Sequence, residues 1–258
     1  MKLFLQNFMK YRFLLGQLIE KDIKLKYRNS YLGIIWTMLE PLLTMIVLTL
    51  VFSRLLGTGT QDFPVYILTG RLIFSFYSGA TKQALRSVRN HAAMIKKVYV
   101  PKYMYPTATI LSNYVMFLIS LIVLAGVAIV RHVKPTVYLL QAFVPLIIVL
   151  GLAMGTGLFL SALAVFFRDL EYLWGVVTMI IMYASAIFYR TEDVISVRNA
   201  WIFKLNPIYA CIDNFRSAVF GSPMDLAETA YSAGMAVFLI LLGGIFFYKS
   251  QDKFILHL

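Results

Sequence analysis

Long apolar runs separated by short polar stretches fill the chain, and they predict six membrane-crossing helices at about 32–52, 63–84, 105–130, 138–167, 173–189 and 231–248. About twenty apolar residues at a rise of 1.5 Å each are what a hydrocarbon core roughly 30 Å thick requires. The second run is the weakest, because it carries Arg71 and Lys82. The fourth is longer than a bilayer needs, which predicts tilt or protrusion. Residues 1–30 show a different period. Lys10, Gln17, Lys21, Lys24 and Arg28 fall on one helical face, and Phe8, Tyr11, Leu15 and Leu18 on another. A basic face opposite an aromatic and aliphatic one predicts an amphipathic helix lying in the headgroup layer. Between the fifth and sixth runs, 201–203 and 208–220 are half apolar, too short to cross, and broken by Asn206-Pro207. They predict two short re-entrant helices before the last span, the alternative being surface helices of an extramembrane loop. The expected fold is an all-α polytopic membrane protein. It has an interfacial helix at 1–30, a transmembrane domain at 31–250 and a cytoplasmic tail at 251–258.

Composition agrees with this pattern. Of 258 residues 60% are hydrophobic, and the mean hydropathy is +0.76, above what a soluble domain carries. The length suits six spans with short loops and leaves no room for a separate soluble catalytic domain. The net charge of +12 would point to nucleic acid in a soluble protein. Here the cations flank apolar runs, so membrane topology and lipid headgroups explain them and no nucleic-acid partner is expected. With both termini inside, sixteen of the 24 Lys and Arg residues lie on the cytoplasmic side, counting Lys82 at the inner end of the second run, and seven outside, with Arg71 within a span. Six spans with N- and C-termini in the cytoplasm therefore satisfy the positive-inside rule. The first residues lack the uninterrupted apolar core and cleavage site of a signal peptide. Cys211 is the single cysteine, so neither an intrachain disulfide nor a cysteine-rich metal site is expected.

No phosphate-binding GxxxxGK[ST], HExxH or GxSxG appears. His91, His132 and His257 lie far apart at or beyond span ends, so no metal site is expected. If the chain uses ATP, another subunit binds it. The segment 24–41, KLKYRNSYLGIIWTMLEP, places Lys24, Lys26 and Arg28 just before the first span and Glu40-Pro41 inside it. Glu40 is eight residues deep, roughly 12 Å at 1.5 Å per residue. A charge near the midplane costs on the order of 2.5–3.5 kcal/mol by insertion scales. Glu40 is either beside a polar pathway at a proline hinge or a structural carboxyl bonded to a neighbouring helix. Arg71, at similar depth in the second span, either snorkels or lines a pathway. Trp36, Phe74, Phe76, Tyr77 and Tyr183 lie deeper than an interfacial aromatic belt, where their faces could stack on sugar rings, packing being the default for each. Small residues Gly151, Gly155, Gly157 and Ser161 predict close helix packing in the fourth span. Residues 86–103 predict a short cytoplasmic amphipathic helix, with Val88, Ala92, Ile95 and Tyr99 on one face and Arg86, Arg89, Lys96 and Lys97 largely elsewhere. Such a helix suits a partner subunit, and a solvated loop is the alternative.

Four stretches carry a family likeness: KYRNSYLGIIWTMLEP at 26–41, MIKKVYVP at 94–101, FFRDL at 166–170 and LNPIYACIDNFR at 205–216. In this order and spacing, over nearly the whole chain, they resemble the permease subunits of ABC-2 type exporters. The similar branch exports O-antigen, capsular polysaccharide and teichoic acid. The resemblance implies two copies of this chain with two copies of an ABC ATPase subunit, which binds ATP and Mg, so the chain itself carries no cofactor and is not an enzyme. It implies a bacterial cytoplasmic membrane and a lipid-linked glycan or polyol-phosphate substrate. It makes Lys21, Lys24, Lys26 and Arg28 part of the interfacial helix. It assigns Arg86, Arg89, Ile95, Lys96, Lys97, Tyr99, Arg168 and Asp169 to ATPase coupling, and Asn206, Pro207 and Arg216 to an outer gate. Trp36, Glu40, Arg71, Phe74, Phe76, Tyr77 and Tyr183 are the expected substrate path. The chain departs from the family pattern after Gly70, where Arg71-Leu-Ile-Phe74 stands in place of apolar residues and Pro-Trp, and at 189–192, where no proline-rich turn follows. The alternatives are an exporter of small amphipathic drugs or lipids, an intramembrane glycosyl or acyl transferase, and a membrane scaffold. A transferase would need clustered His, Asp or Glu near one face, which the sequence does not show.

Overall fold

A computed structural model describes residues 2–28, 30–56, 62–97, 100–189 and 201–254, and no strand occurs among them. Lys2–Tyr27 forms the expected amphipathic helix, α1. It buries Leu15 and Leu18 in a cluster with Met104, Tyr105 and Ala108, while Lys21, Lys24, Lys26 and Arg28 stay exposed. Thr109 donates to Asp22 at 3.3 Å and ties the helix to the bundle. The chain then turns through Gly33, whose φ of +51° is costly for a residue with a Cβ. A single 3₁₀ turn, Gly33–Ile35, leads into α2, Trp36–Leu56, which runs through Pro41.

The centre of the bundle is α3, Phe63–Asn90, with Pro64 in its first turn, where the missing N–H is harmless. After the one-turn α4, Ala92–Ile95, come α5, Met104–Val130, and α6, Phe143–Phe166. Next are α7, Leu170–Tyr183, and the one-turn α8, Trp201–Lys204. The described chain closes with α9, Pro207–Phe220, and α10, Leu226–Ser250. Among the described residues, four helical stretches are long and apolar enough to cross a membrane: Gly33–Ser53, Met104–Val130, Val137–Phe166 and Leu226–Lys253. Arg71, Lys82, Arg86 and Arg89 lower the hydropathy of α3, yet α3 is deeply buried, with Val65, Leu68, Ile73, Ala80, Ala84 and Val88 fully covered. A helix enclosed by protein tolerates polar groups that lipid would reject.

The observed elements depart from the expected ones in three places. The second helix continues past 84 to Asn90, because Leu85 and Val88 extend its buried face. Arg86 and Arg89 therefore ride on α3, and the separate cytoplasmic helix reduces to Ala92–Ile95. The long fourth run divides into a 3₁₀ segment, Val137–Ala142, and α6. The fifth helix stops at Tyr183 instead of 189, and Ala186 adopts a φ of +45°. Fourteen residues reach only about 21 Å at 1.5 Å each, short of a hydrocarbon core of roughly 30 Å.

α6 and α10 cross closely, backbone near backbone. A Cβ on Gly155 would stand 2.5 Å from the backbone nitrogen of Ile240, and one on Gly243 would run into the carbonyl oxygen of Gly155. Gly244 has nothing within 4 Å. Gly155→Ala and Gly243→Ala should each destabilise the purified protein by about 1–3 kcal/mol through forced separation of the helices. Gly244→Ala should be neutral. Thermal unfolding in detergent reads the contrast, and equal melting of all three variants would contradict the close crossing.

Candidate functional site

At the end of the bundle where α9 lies, one buried cluster satisfies the backbone beyond α7. A helix that ends in a low-dielectric region leaves its last four carbonyls without partners. All four are met here. The carbonyls of Ile180 and Met182 accept from the amides of Ala184 and Ser185 at 2.9 and 3.3 Å. Ser185 Oγ donates to Ile181 O at 2.6 Å, and Tyr189 Oη to Tyr183 O at 2.6 Å. The carbonyls that follow are held by more distant side chains. Asn206 Nδ2 donates to Ala184 O at 3.1 Å and to Ser185 Oγ at 2.9 Å. Arg216 Nη1 donates to Ala186 O at 3.1 Å, and Nη2 to Ile187 O at 3.3 Å and Tyr66 O at 3.2 Å. Tyr66 Oη donates to Tyr189 O at 3.0 Å.

The positions of these donors follow from local rules. Asn206 is the N-cap of α9, its Oδ1 accepting from Ile208 N at 3.0 Å, and Pro207 takes the first helical position. Arg216 lies ten residues further on and is only 4% exposed. Its guanidinium stacks 3.5 Å from the ring centroid of Tyr66. Gly70 makes room for it, since a Cβ there would meet Nη2 at 2.7 Å. Asn206, Pro207 and Arg216 are thus brought into one assembly. Tyr66, Gly70 and Ser185 complete it and were not singled out from the sequence. The four-residue step from Tyr66 to Gly70 on one helix face is the signal that could have found two of them. Beside this cluster, Lys204 bonds Glu228 of α10 at 3.0 Å. That partner raises the Lys204 pKa.

Nearer α1, a polar cavity of about 240 Å³ lies between α2, α3 and α5. Lys26, Glu40, Arg71 and Phe76 line it, with Gln83 and Asn113, whose side chains bond each other twice at 3.1 Å. Glu40 is exposed and Arg71 half-buried, and among the described residues no ion pair joins them. Trp36 is 43% exposed near the start of α2, and Tyr183 57% exposed at the end of α7. Phe74 and Tyr77 turn instead into the core of this chain, both 5% exposed. Tyr77 shares a hydrogen bond with Thr156 at 3.3 Å. Phe76 stacks on Phe117 at 5.1 Å, so its ring packs internally while bordering the cavity.

At the α1 end, Arg86 and Arg89 both bond Glu171 in the first turn of α7, Arg89 at 3.2 Å. Glu171 is a further residue the sequence reading missed. An acid in a helix's first turn beside two arginines one turn apart was the available signal. Ile95 is buried, Lys96, Lys97, Arg168 and Asp169 are exposed, and Tyr99 lies outside the described residues.

The family model for the ABC-2 type transporter matches residues 14–220. The chain belongs to the ABC-2 type transporter family. The permease is 24% identical over 248 residues to the O-antigen export system permease protein RfbA of Myxococcus xanthus, covering 95% of each chain. It is 24% identical over 243 residues to the O-antigen export system permease protein RfbA of Klebsiella pneumoniae, covering 93% of each. It is 23% identical over 240 residues to the capsule polysaccharide export inner-membrane protein CtrC of Neisseria meningitidis serogroup B, covering 91% of this chain and 89% of that one.

The Arg216 cluster makes a paired prediction. Arg216→Lys removes the planar fork that reaches three carbonyls, and Gly70→Ala pushes that fork aside without touching a donor. Both should lower stability by about 1–3 kcal/mol, read as the unfolding midpoint of the purified permease. Gly79→Ala, on the same helix with nothing within 4 Å, should leave it unchanged. A neutral Gly70→Ala would show that the guanidinium does not need its position.

Proposed function

We propose that this permease moves a lipid-linked polysaccharide or teichoic-acid-like polymer across a bacterial cytoplasmic membrane, driven by a separate ATPase. The observation that carries the reading is the end-to-end match to O-antigen and capsule export permeases, with over nine-tenths of this chain aligned in each of the three cases. Two exposed apolar stripes support a two-copy assembly. Trp36, Leu43, Val47 and Leu50 run along α2, and Leu173, Val176, Ile180 and Tyr183 along α7, all exposed in the single chain. Two copies meeting along these stripes would place a pathway between them. Trp36 and Tyr183 would offer flat faces to sugars, and Glu40 and Arg71 would present charge from the cavity beside α2. Phe76 borders this path, while Phe74 and Tyr77 support it from within the core.

In this reading both termini are cytoplasmic. The chain crosses six times, with α3 and the stretch from α7 through 189 added to the four long apolar segments. The α9 end is the outer gate, where Asn206, Pro207 and Arg216 hold the segment after α7. The α1 end meets two ATPase subunits, which hold ATP and Mg. Lys96, Lys97, Arg168 and Asp169 are the exposed contacts. Arg86, Arg89 and the buried Ile95 stiffen the surface behind them. Differential binding of the two ATPase states supplies the energy for opening.

Co-expression with an ABC ATPase subunit tests the assignment through surface polymer and ATP hydrolysis measured together. Lys96→Glu with Lys97→Glu should cut export by about tenfold or more, as a lost coupling of 1–3 kcal/mol would, while membrane insertion persists. Full export in that double variant would remove these lysines from the coupling surface. Trp36→Ala and Tyr183→Ala should each reduce export without changing assembly. Normal polymer levels in both would reduce them to packing residues.

A further inference from the structure

At the α9 end, α5, α6, α9 and the Val137–Ala142 segment enclose an apolar groove of about 620 Å³. This lies within the roughly 300–1,000 Å³ range of ligand pockets. Ile129, Leu140, Phe143, Leu146, Phe215 and Val219 are among its walls. Ile129, Leu140 and Phe143 are largely exposed, so the groove opens sideways.

The turn above it is basic. Arg131, His132 and Lys134 stand within four residues, and Val133, Pro135 and Thr136 between and after them line the groove. No acidic residue occurs anywhere from 63 to 168. Among the described residues neither Arg131 nor Lys134 is in an ion pair. Arg131 sits at the divide, since it also lines a second apolar groove on the α2 side of α5.

The turn is built, not loose. His132 adopts a φ of +58°, and the amides of Arg131 and Val133 return to Val127 O and Ala128 O at 2.9 and 3.0 Å. The far wall is fixed to the same segment. Gly221, the left-handed cap of α9, lies so close to Thr136 that a Cβ would meet its methyl group at 2.8 Å. Met224 N donates to Gln141 Oε1 at 3.4 Å.

We propose that this groove and turn bind an anionic phospholipid of the surrounding bilayer. One acyl chain lies in the groove against Phe215 and Val219, and the phosphate is held by Lys134, with Arg131 and His132 beside it. Cations with no ion-pair partner among the described residues, over an apolar slot, complement a negatively charged headgroup joined to a hydrocarbon chain. A zwitterionic lipid would place its own cation against them. The chain would then touch α9 at Phe215 and Val219, next to Arg216 on the same helix. The inference needs the bundle to sit in a membrane, but neither the ATPase nor any identity of the cargo, so its failure would leave the export reading intact.

The test is photolabelling of the full chain in phosphatidylcholine nanodiscs. These are doped with phosphatidylglycerol or phosphatidylcholine carrying the same diazirine-bearing acyl chain, and labelled peptides are mapped by mass spectrometry. Phosphatidylglycerol should label 121–146 and 215–219 more than phosphatidylcholine by at least roughly fivefold, the order expected for one cation near a lipid surface. Combined Arg131→Gln, His132→Gln and Lys134→Gln, at a turn where His132 and Lys134 are exposed and Arg131 is half-buried, should reduce that ratio to about one. Ala125→Phe, which fills the groove from an exposed position, should remove labelling of Phe215 by either probe. Equal labelling by the two lipids in the unmodified chain would overturn the proposal. So would an unchanged preference in the triple variant, or phosphatidylglycerol labelling confined to the basic α1 end.

Discussion

A backbone that leaves its helix inside a low-dielectric layer must find a partner for every carbonyl, and that requirement organises this permease. After Tyr183 the chain unwinds through Ala184–Ser185–Ala186, and its oxygens are met by Ser185, Tyr189, Asn206, Tyr66 and Arg216. An unmet carbonyl in hydrocarbon would cost several kcal/mol, and a buried guanidinium without acceptors would cost at least as much. Each liability offsets the other. The arginine is retained in the core because there are carbonyls to receive it, and the helix can end early because an arginine is there. Neither half is stable alone, so α3, α7 and α9 are committed to one arrangement at this end.

The same reasoning accounts for α3. It is the long helix least suited to lipid, and it sits at the centre because α2, α5, α6, α7 and α9 cover it. Its polar side chains are spent on neighbours: Thr81 receives the indole N–H of Trp174 at 3.0 Å, Gln83 pairs with Asn113, and Arg86 and Arg89 meet Glu171. By contrast α2 and α7 carry wide apolar faces with no cover in a single chain. That division is physically ordered, with hydrogen-bonding capacity turned inward and plain hydrocarbon left for lipid or a second copy.

How much of this could be read from the residues depends on the range of the deciding interaction. Local signals were sufficient for α1, with its basic and apolar faces, and for α9, whose Asn206-Pro207 start supplies both a cap and a first-turn proline. Apolar run length located α5 to within a residue of its start. The end of α7 was not legible, because 184–189 is as apolar as the helix before it and the side chains that make unwinding tolerable include Asn206 and Arg216, some twenty to thirty residues away, and Tyr66, more than a hundred residues away. The burial of Phe74 and Tyr77 was hidden for the same reason. Both sit at suitable depth for a pathway, and only the packing of α3 against α6 and α7 decides which way they face. Glu171 escaped notice because a carboxylate at a helix start needs no further explanation until two arginines from another helix are found on it.

These contacts make α3 and α7 a single lever. Glu171 joins them at the α1 end, Trp174 and Thr81 in the middle, and the Arg216 cluster beyond the last turn of α7. From Tyr66 to Arg89 the axis measures roughly 35 Å at 1.5 Å per residue, comparable to the thickness of a bilayer core. Coupling over such a distance requires elements that move as units. Two helices bonded at both ends and at mid-length cannot slide past each other without breaking an ion pair or orphaning a carbonyl. If an ATPase bears on Arg168, Asp169 and Lys96 as proposed, a push there would reach the α9 end as a rigid-body tilt of this pair. Pro41, which costs α2 one backbone hydrogen bond, and the glycine turn at Gly33 both lie on the α2 side of the cavity that Glu40 and Arg71 line, opposite the α3–α7 pair.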